Sequence, residues 1–173
     1  KKALKRTLKS LKQGNLAGLP TETVYGLAGN AYSKKAVKTI FRLKKRPKRN
    51  PLIIHYQNTK KIKQDVIINK NFLKLYKKFC PGPITFILKK NKKTKIVPLA
   101  TANLNTVAIR FPDHRVIQSL LKLTNFPLAM PSANLSSGLS PVNPYDVYDE
   151  FKRKIKIIIN GGSSKIGIES TVV

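Results

Sequence analysis

Leu4, Leu8 and Leu11 recur at helical spacing among lysines, so residues 1–12, Lys1 to Lys12, are read as an opening amphipathic helix. Gly14 is its stop signal, and LAGLP at 16–20 is a short strand candidate. Ala36, Val37, Ile40 and Phe41 mark a second helical face, with Ser33 as its cap and Pro47 at its end. The period then changes. Pro51 opens the apolar strand PLIIHY, residues 70–79 return to a helical pattern, and CPGP turns the chain into the strand ITFIL. NTVAIRF reads as the next strand, followed by a helix capped by Asp113 with Val116, Ile117, Leu120 and Leu121 buried. PLAMP is short and apolar, as a buried strand would be, whereas SANLSSGLSPVNP is too rich in Ser, Asn, Gly and Pro to be regular. A helix from about 144 to 153, the strand IKIIIN, a GGSS turn and the strand ESTVV complete the chain. This alternation predicts an α/β fold, a mixed sheet covered by helices, with binding loops outside the strand ends.

Composition narrows the class. At 173 residues, 41% of them hydrophobic, the chain reads as one globular domain with a sizeable core. No apolar run approaches the ~20 residues of a membrane span, and the Lys-rich start lacks the apolar centre of a signal peptide. The single cysteine, Cys80, allows no internal disulfide, so a reducing cytoplasm is expected. The net charge of +28 comes from 28 lysines and 7 arginines set against 7 acids. The lysines are spread along the chain, as drift toward A/T-rich codons would spread them, rather than gathered into a nucleic-acid patch. Whatever their origin, their field attracts polyanions at low salt. A chain that begins without Met and stops inside ESTVV is read as truncated at both ends.

Elimination bounds the chemistry. His55, His114 and Cys80 are too few for a conventional zinc site. Asp146, Asp149 and Glu150 fall in one predicted helix, as solvated or dipole-compensating residues. GGSS lacks the ending of a phosphate-binding P-loop. What remains is a set of cations, hydroxyls and amides at element ends: Thr21, Thr23, Lys44, Arg46, Arg110, Ser132, Asn134 and Ser170 beside Glu169. Such groups suit oxyanion and phosphate binding by positioning. Each alone also has a plainer reading: Thr21 as a helix cap, Arg110 as a surface strand residue, Ser132 as a turn former.

Taken in order, LPTETVYGLAGNA, IFRLKKRPKRNPLIIH, FCPGPITFIL, TVAIRFPDH, PLAMPSANLSSGLSP and GIESTVV resemble the YrdC-like threonylcarbamoyl-AMP synthases. The blocks span residues 19–173. The resemblance implies a single YrdC-like domain with a twisted mixed sheet, and an enzyme joining L-threonine, bicarbonate and ATP into threonylcarbamoyl-AMP with release of pyrophosphate. Downstream proteins would pass the group to the adenosine beside the anticodon of ANN-decoding tRNAs. No tightly bound cofactor is implied: ATP is a substrate, accompanied by Mg²⁺, and no protein metal site is expected. Weak tRNA binding is a further expectation.

Carried over by position, the resemblance makes Thr23, His55, Arg110, Ser132 and Ser170 the threonine set. Arg46, Asn50, Thr106, Asn134 and Ser140 become the nucleotide set. Lys44 and Arg46 are the catalytic cations, Lys44 lying on bicarbonate or phosphate, while Lys45, Lys48 and Arg49 are solvated and His114 is structural. Two positions depart from the family pattern, Lys45 where it often has Gly and Cys80 where it often has Trp. The family also continues beyond the last strand, with a nucleotide-contacting Arg and sometimes a C-terminal domain. The rival readings are an RNA-binding protein with a basic surface and no catalysis, and a related carbamoyl-transfer domain of hydrogenase maturation.

Overall fold

The computed structural model describes residues 2–173. β1 (Ala17–Leu19), β2 (Gly26–Asn30), β3 (Ile53–His55), β4 (Ile84–Lys89), β5 (Thr106–Arg110), β6 (Leu128–Ala129) and β7 (Thr171–Val172) form one sheet in the order β1-β2-β6-β3-β5-β4-β7. β3 pairs with β5, and β4 with β7, in parallel; the other neighbours are antiparallel, so the sheet is mixed as expected. Around it lie α1 (Lys2–Lys12), α2 (Lys34–Lys44), α3 (Lys70–Phe79), α4 (Arg115–Leu123) and α5 (Pro144–Phe151). Among the described residues no helix is long and apolar enough to cross a membrane.

Strand alternation divides the core in two. Leu27, Ile54, Val107, Ile109 and Ala129 face Val37 and Ile40 of α2, Phe72 of α3, and Val147 and Phe151 of α5. Ala17, Leu19, Ala28 and Leu128 point the other way, onto Leu11 of α1 and Ile117, Leu120 and Leu121 of α4. This second core draws no side chain from β3, β4 or β5. On that half of the face the alternating positions are His55, Arg110 and Thr85. Helices therefore cover one half of the face and leave the polar half as the floor of a site.

Several boundaries differ from the sequence reading, each for a local reason. Lys1 of the expected first helix lies outside the described residues; Leu11 is buried, and Leu4 and Leu8 pack against the second core. α2 takes Ser33 as its cap, its hydroxyl accepting from the Ala36 N–H, but stops at Lys45 rather than Pro47. Lys45 adopts the left-handed conformation, φ 50° and ψ 34°, and donates its N–H to Arg42. α4 is capped by His114, whose Nδ1 accepts from the Val116 N–H at 3.2 Å, and not by Asp113. The Asp113 N–H donates instead to Glu22 Oε2 at 3.0 Å, which holds that residue outside the helix.

IKIIIN makes a single bridge, Ile158 to Gly18, because β1 offers only three residues to pair with. β2 went unseen in the sequence since GLAGN shows no apolar alternation. Its glycines serve close packing instead: a Cβ on Gly26 would lie 2.4 Å from Met130 Cγ, and one on Gly29 2.8 Å from Leu16 Cδ2.

Candidate active site

The site is built on strand register. His55 stands opposite Arg110 across β3 and β5, and Thr85 stands opposite Arg110 across β4 and β5, so the three side chains form one row. Thr85 Oγ1 and Ser170 Oγ are 2.7 Å apart, which ties the row to the start of β7. From the turn between β1 and β2, Glu22 and Thr23 reach down to it. Arg110 Nη2 donates to Glu22 Oε1 at 2.7 Å and to Thr23 Oγ1 at 2.8 Å. Thr21 shapes this turn: its hydroxyl donates to the Val24 carbonyl at 2.6 Å and accepts from the Thr23 and Val24 N–H groups. No helix begins there, so the reading of Thr21 as a helix cap is wrong.

Arg110 is not a surface residue either. Its side chain is 5% exposed and that of Glu22 6%, and this is the one ion pair within 4.0 Å among the described residues. Arg110 Nε is buried without a partner. Such an orphaned donor marks a group waiting for a ligand or water. The His55 ring is buried, with Nδ1 3.3 Å from the Ile53 carbonyl. Burial, reinforced by the Arg110 charge, pushes its pKa down to about 3, so the imidazole is neutral throughout the ordinary pH range. Above the row opens a small cleft, with Ile53 and Met130 as apolar wall and Thr21, Ser132, Glu169 and Ser170 among its polar lining.

A second group adjoins it. Lys44, the last residue of α2, is buried and donates through Nζ to the carbonyls of Ser132, at 2.7 Å, and Asn134; Asn134 Oδ1 lies 3.4 Å away. Burial and then the nearby Arg46 lower its pKa to about 8, against the pull of Glu169 and Glu150. Arg46 donates from Nε to the Asn50 carbonyl at 3.1 Å and from Nη2 to the Pro51 carbonyl at 2.9 Å. Asn134 Nδ2 pins its own loop by donating to the Leu135 and Gly138 carbonyls, and the Ser140 hydroxyl donates to Glu169 Oε1 at 2.8 Å. The end of α2 and the Ser132–Asn134 loop thus meet through Lys44.

Thr23, His55, Arg110, Ser132 and Ser170 come together at the cleft, and Lys44, Arg46, Asn134 and Ser140 form its basic flank. Asn50 is exposed and joins only through its carbonyl. Thr106 stands on the same face as Arg110 at the opposite end of β5, about 13 Å away at strand rise. Lys45, Lys48 and Arg49 are exposed, as expected. Sequence reasoning assigned no role to Glu22, Thr85, Met130 or Glu169. Alternation in ITFIL could have placed Thr85 beside Arg110; an acid between two threonines, in a chain this basic, was the available sign for Glu22. Among the described residues no three His, Cys, Asp or Glu side chains cluster as metal ligands would.

An α/β sheet that offers a buried arginine, a neutral imidazole and hydroxyls beside a lysine–arginine pair has the chemistry that small carboxylate- and phosphate-bearing molecules require. Residues 9–173 match the Sua5/YciO/YrdC family model, described as "Telomere recombination", and the chain belongs to that family. It is 43% identical over 167 residues to the threonylcarbamoyl-AMP synthase of Pyrococcus abyssi, covering 94% of this chain and 48% of that protein. To the threonylcarbamoyl-AMP synthase of Bacillus subtilis it is 41% identical over 165 residues, covering 94% and 47%. The crystal structure of P. abyssi Sua5 complexed with L-threonine superposes with a TM-score of 0.94 at 40% identity, over 98% of this chain and 49% of that one. The chain therefore spans about half the length of these relatives.

Proposed function

We propose that the protein makes L-threonylcarbamoyl-AMP from L-threonine, bicarbonate and ATP, releasing pyrophosphate, for threonylcarbamoyladenosine formation on ANN-decoding tRNAs. The observation that carries this reading is Arg110, buried in the cleft with an unpartnered Nε and flanked by Thr23, His55 and Ser170. That arrangement suits a small hydroxylated amino acid, and the fold is shared with a relative solved with L-threonine. The threonine carboxylate takes the free side of the Arg110 guanidinium, whose planar fork matches two oxygens. The ligand hydroxyl finds Thr23, Ser170 or the neutral imidazole.

The nucleotide lies over the basic flank. Arg46, Asn50, Asn134 and Ser140 serve its phosphates, and Thr106, about 13 Å from Arg110 on the same face of β5, serves its far end. In the bond-forming step a carbamate oxygen attacks the α-phosphorus, the bond to the bridging oxygen breaks, and pyrophosphate leaves with the electron pair. Two anions must meet, so cations dominate the catalysis and no protein nucleophile is needed. Lys44 acts mainly by fixing the Ser132–Asn134 carbonyls while its charge stays beside the bicarbonate or phosphate. Mg²⁺ would arrive with the ATP phosphates. Downstream transfer proteins in the cytoplasm would consume the product, and the basic surface would give weak contact with tRNA. The test is pyrophosphate release by the full-length protein with ATP, threonine and bicarbonate omitted one at a time. Release that needs all three supports the reading; none from folded protein overturns it.

A further inference from the structure

The cleft is not uniformly positive. Among its lining residues Glu169 is the one anionic side chain, at the rim above the row that holds Arg110. Its Oε1 is fixed by the Ser140 hydroxyl at 2.8 Å, while no hydrogen bond or ion pair engages Oε2. Lys44 and Arg46 lie close enough to feel its charge, yet Lys44 Nζ and Arg46 Nε and Nη2 point to other oxygens and neither cation comes within 4.0 Å of the carboxylate. In a chain of net charge +28, a carboxylate left without an ion pair at the mouth of a small cleft calls for a cationic partner from outside. An α-amino acid carries such a group a few ångströms from its carboxylate. With Arg110 at the floor and Glu169 at the rim, the cleft presents one fixed charge for each end of a zwitterion.

We propose that Glu169 is a specificity-determining residue that binds the ammonium group of the amino-acid substrate, with Ser140 as the positioning residue that aims it. This rests on the amino-acid reading of the cleft given above. Ser140 then holds Glu169 as well as bordering the nucleotide's path, and the acid gives a strongly basic protein a means to discriminate against simple hydroxy acids. Those would satisfy Arg110 and the hydroxyls but make no ion pair with Glu169, so threonine gains an attraction that they cannot.

The test is calorimetric titration of the full-length protein with L-threonine, with 3-hydroxybutanoate, which keeps the carboxylate and hydroxyl but lacks the amine, and with an ATP analogue. Wild type, Glu169→Gln and Ser140→Ala are compared. Glu169 is exposed, so its amide variant should fold; circular dichroism checks this. The expected result is that wild type prefers threonine at least tenfold. Glu169→Gln should lose most of that preference by weakening threonine alone, and Ser140→Ala should lose part of it. Equal weakening of both acids, unchanged threonine binding, or a loss confined to the nucleotide would each overturn the assignment. Absence of threonine binding in wild type would instead overturn the amino-acid reading itself, and this inference with it.

Discussion

Replacing Glu22 by Gln tests whether the buried ion pair holds the site together. The side chain keeps its volume, and one amide oxygen can still accept from Asp113, but the charge facing Arg110 is lost. Both partners are almost fully buried, so solvent cannot screen the arginine that remains. Breaking a buried pair from one side costs about 3–5 kcal/mol. The retained hydrogen bond to Asp113 places Gln near the lower end, about 3 kcal/mol. For a chain of this size that is a fall in Tm of about 6–12 °C. Urea unfolding monitored by fluorescence or circular dichroism, at constant m, gives the loss directly. The cycle is closed with Arg110→Met and the double variant, which removes both charges and should cost less than the sum of the singles by about 1 kcal/mol or more. A loss below about 1 kcal/mol, or strict additivity, would refute the pair as a structural element and leave Arg110 anchored by Thr23 alone.

Three further outcomes follow from the geometry. Lys45→Gly should raise stability by about 0.5–1 kcal/mol in the same urea assay, since Gly relieves the left-handed conformation that ends α2. His55 has its pKa depressed from 6.5 to about 3 in the folded state, so the unfolded chain binds the extra proton first. Its stabilising contribution is complete above pH 6.5 and is lost toward pH 3 at up to about 1.4 kcal/mol per pH unit, a slope that His55→Asn should flatten in pH-dependent urea melts. For Lys44, with a pKa near 8, kcat/KM for ATP should decline as pH rises through that value, and Lys44→Met should show a rate lower by about 10²-fold or more without that limb. A full-rate Lys44→Met enzyme would sink its assignment.

Periodicity made most of the fold legible. The apolar faces of α2 and α4, and the strands around Ile54, Ile84 and Val107, stand where alternation puts them. β2 was invisible because its glycines answer to Met130 and Leu16, neighbours that only tertiary packing supplies. The cap on α4 was misread because Asp113, the better intrinsic cap, is drawn off by Glu22, 91 positions away in sequence. In the site the cations were named through family likeness, whereas the meeting of Lys44 with the Ser132–Asn134 loop is a long-range contact that only the structure shows. Glu22 and Glu169 were not, since an acid gains meaning only from the arginine or the empty rim beside it. The burial of Arg110 likewise depends on long-range contact, and no local window contains it.

The row of His55, Arg110 and Thr85 carries one more consequence, for how preparations of the protein are counted. Strand side chains alternate between faces, so a slip of one residue in β5 would turn Arg110 into the core and present Ile109 or Phe111 to the cleft. Such a molecule could remain compact and helical, indistinguishable by far-ultraviolet signal, yet it would have no floor for an anion. Ligand stoichiometry would therefore act as a census of correct strand pairing. In a refolded sample, the fraction of chains that bind would report the fraction whose central strands found their proper partners.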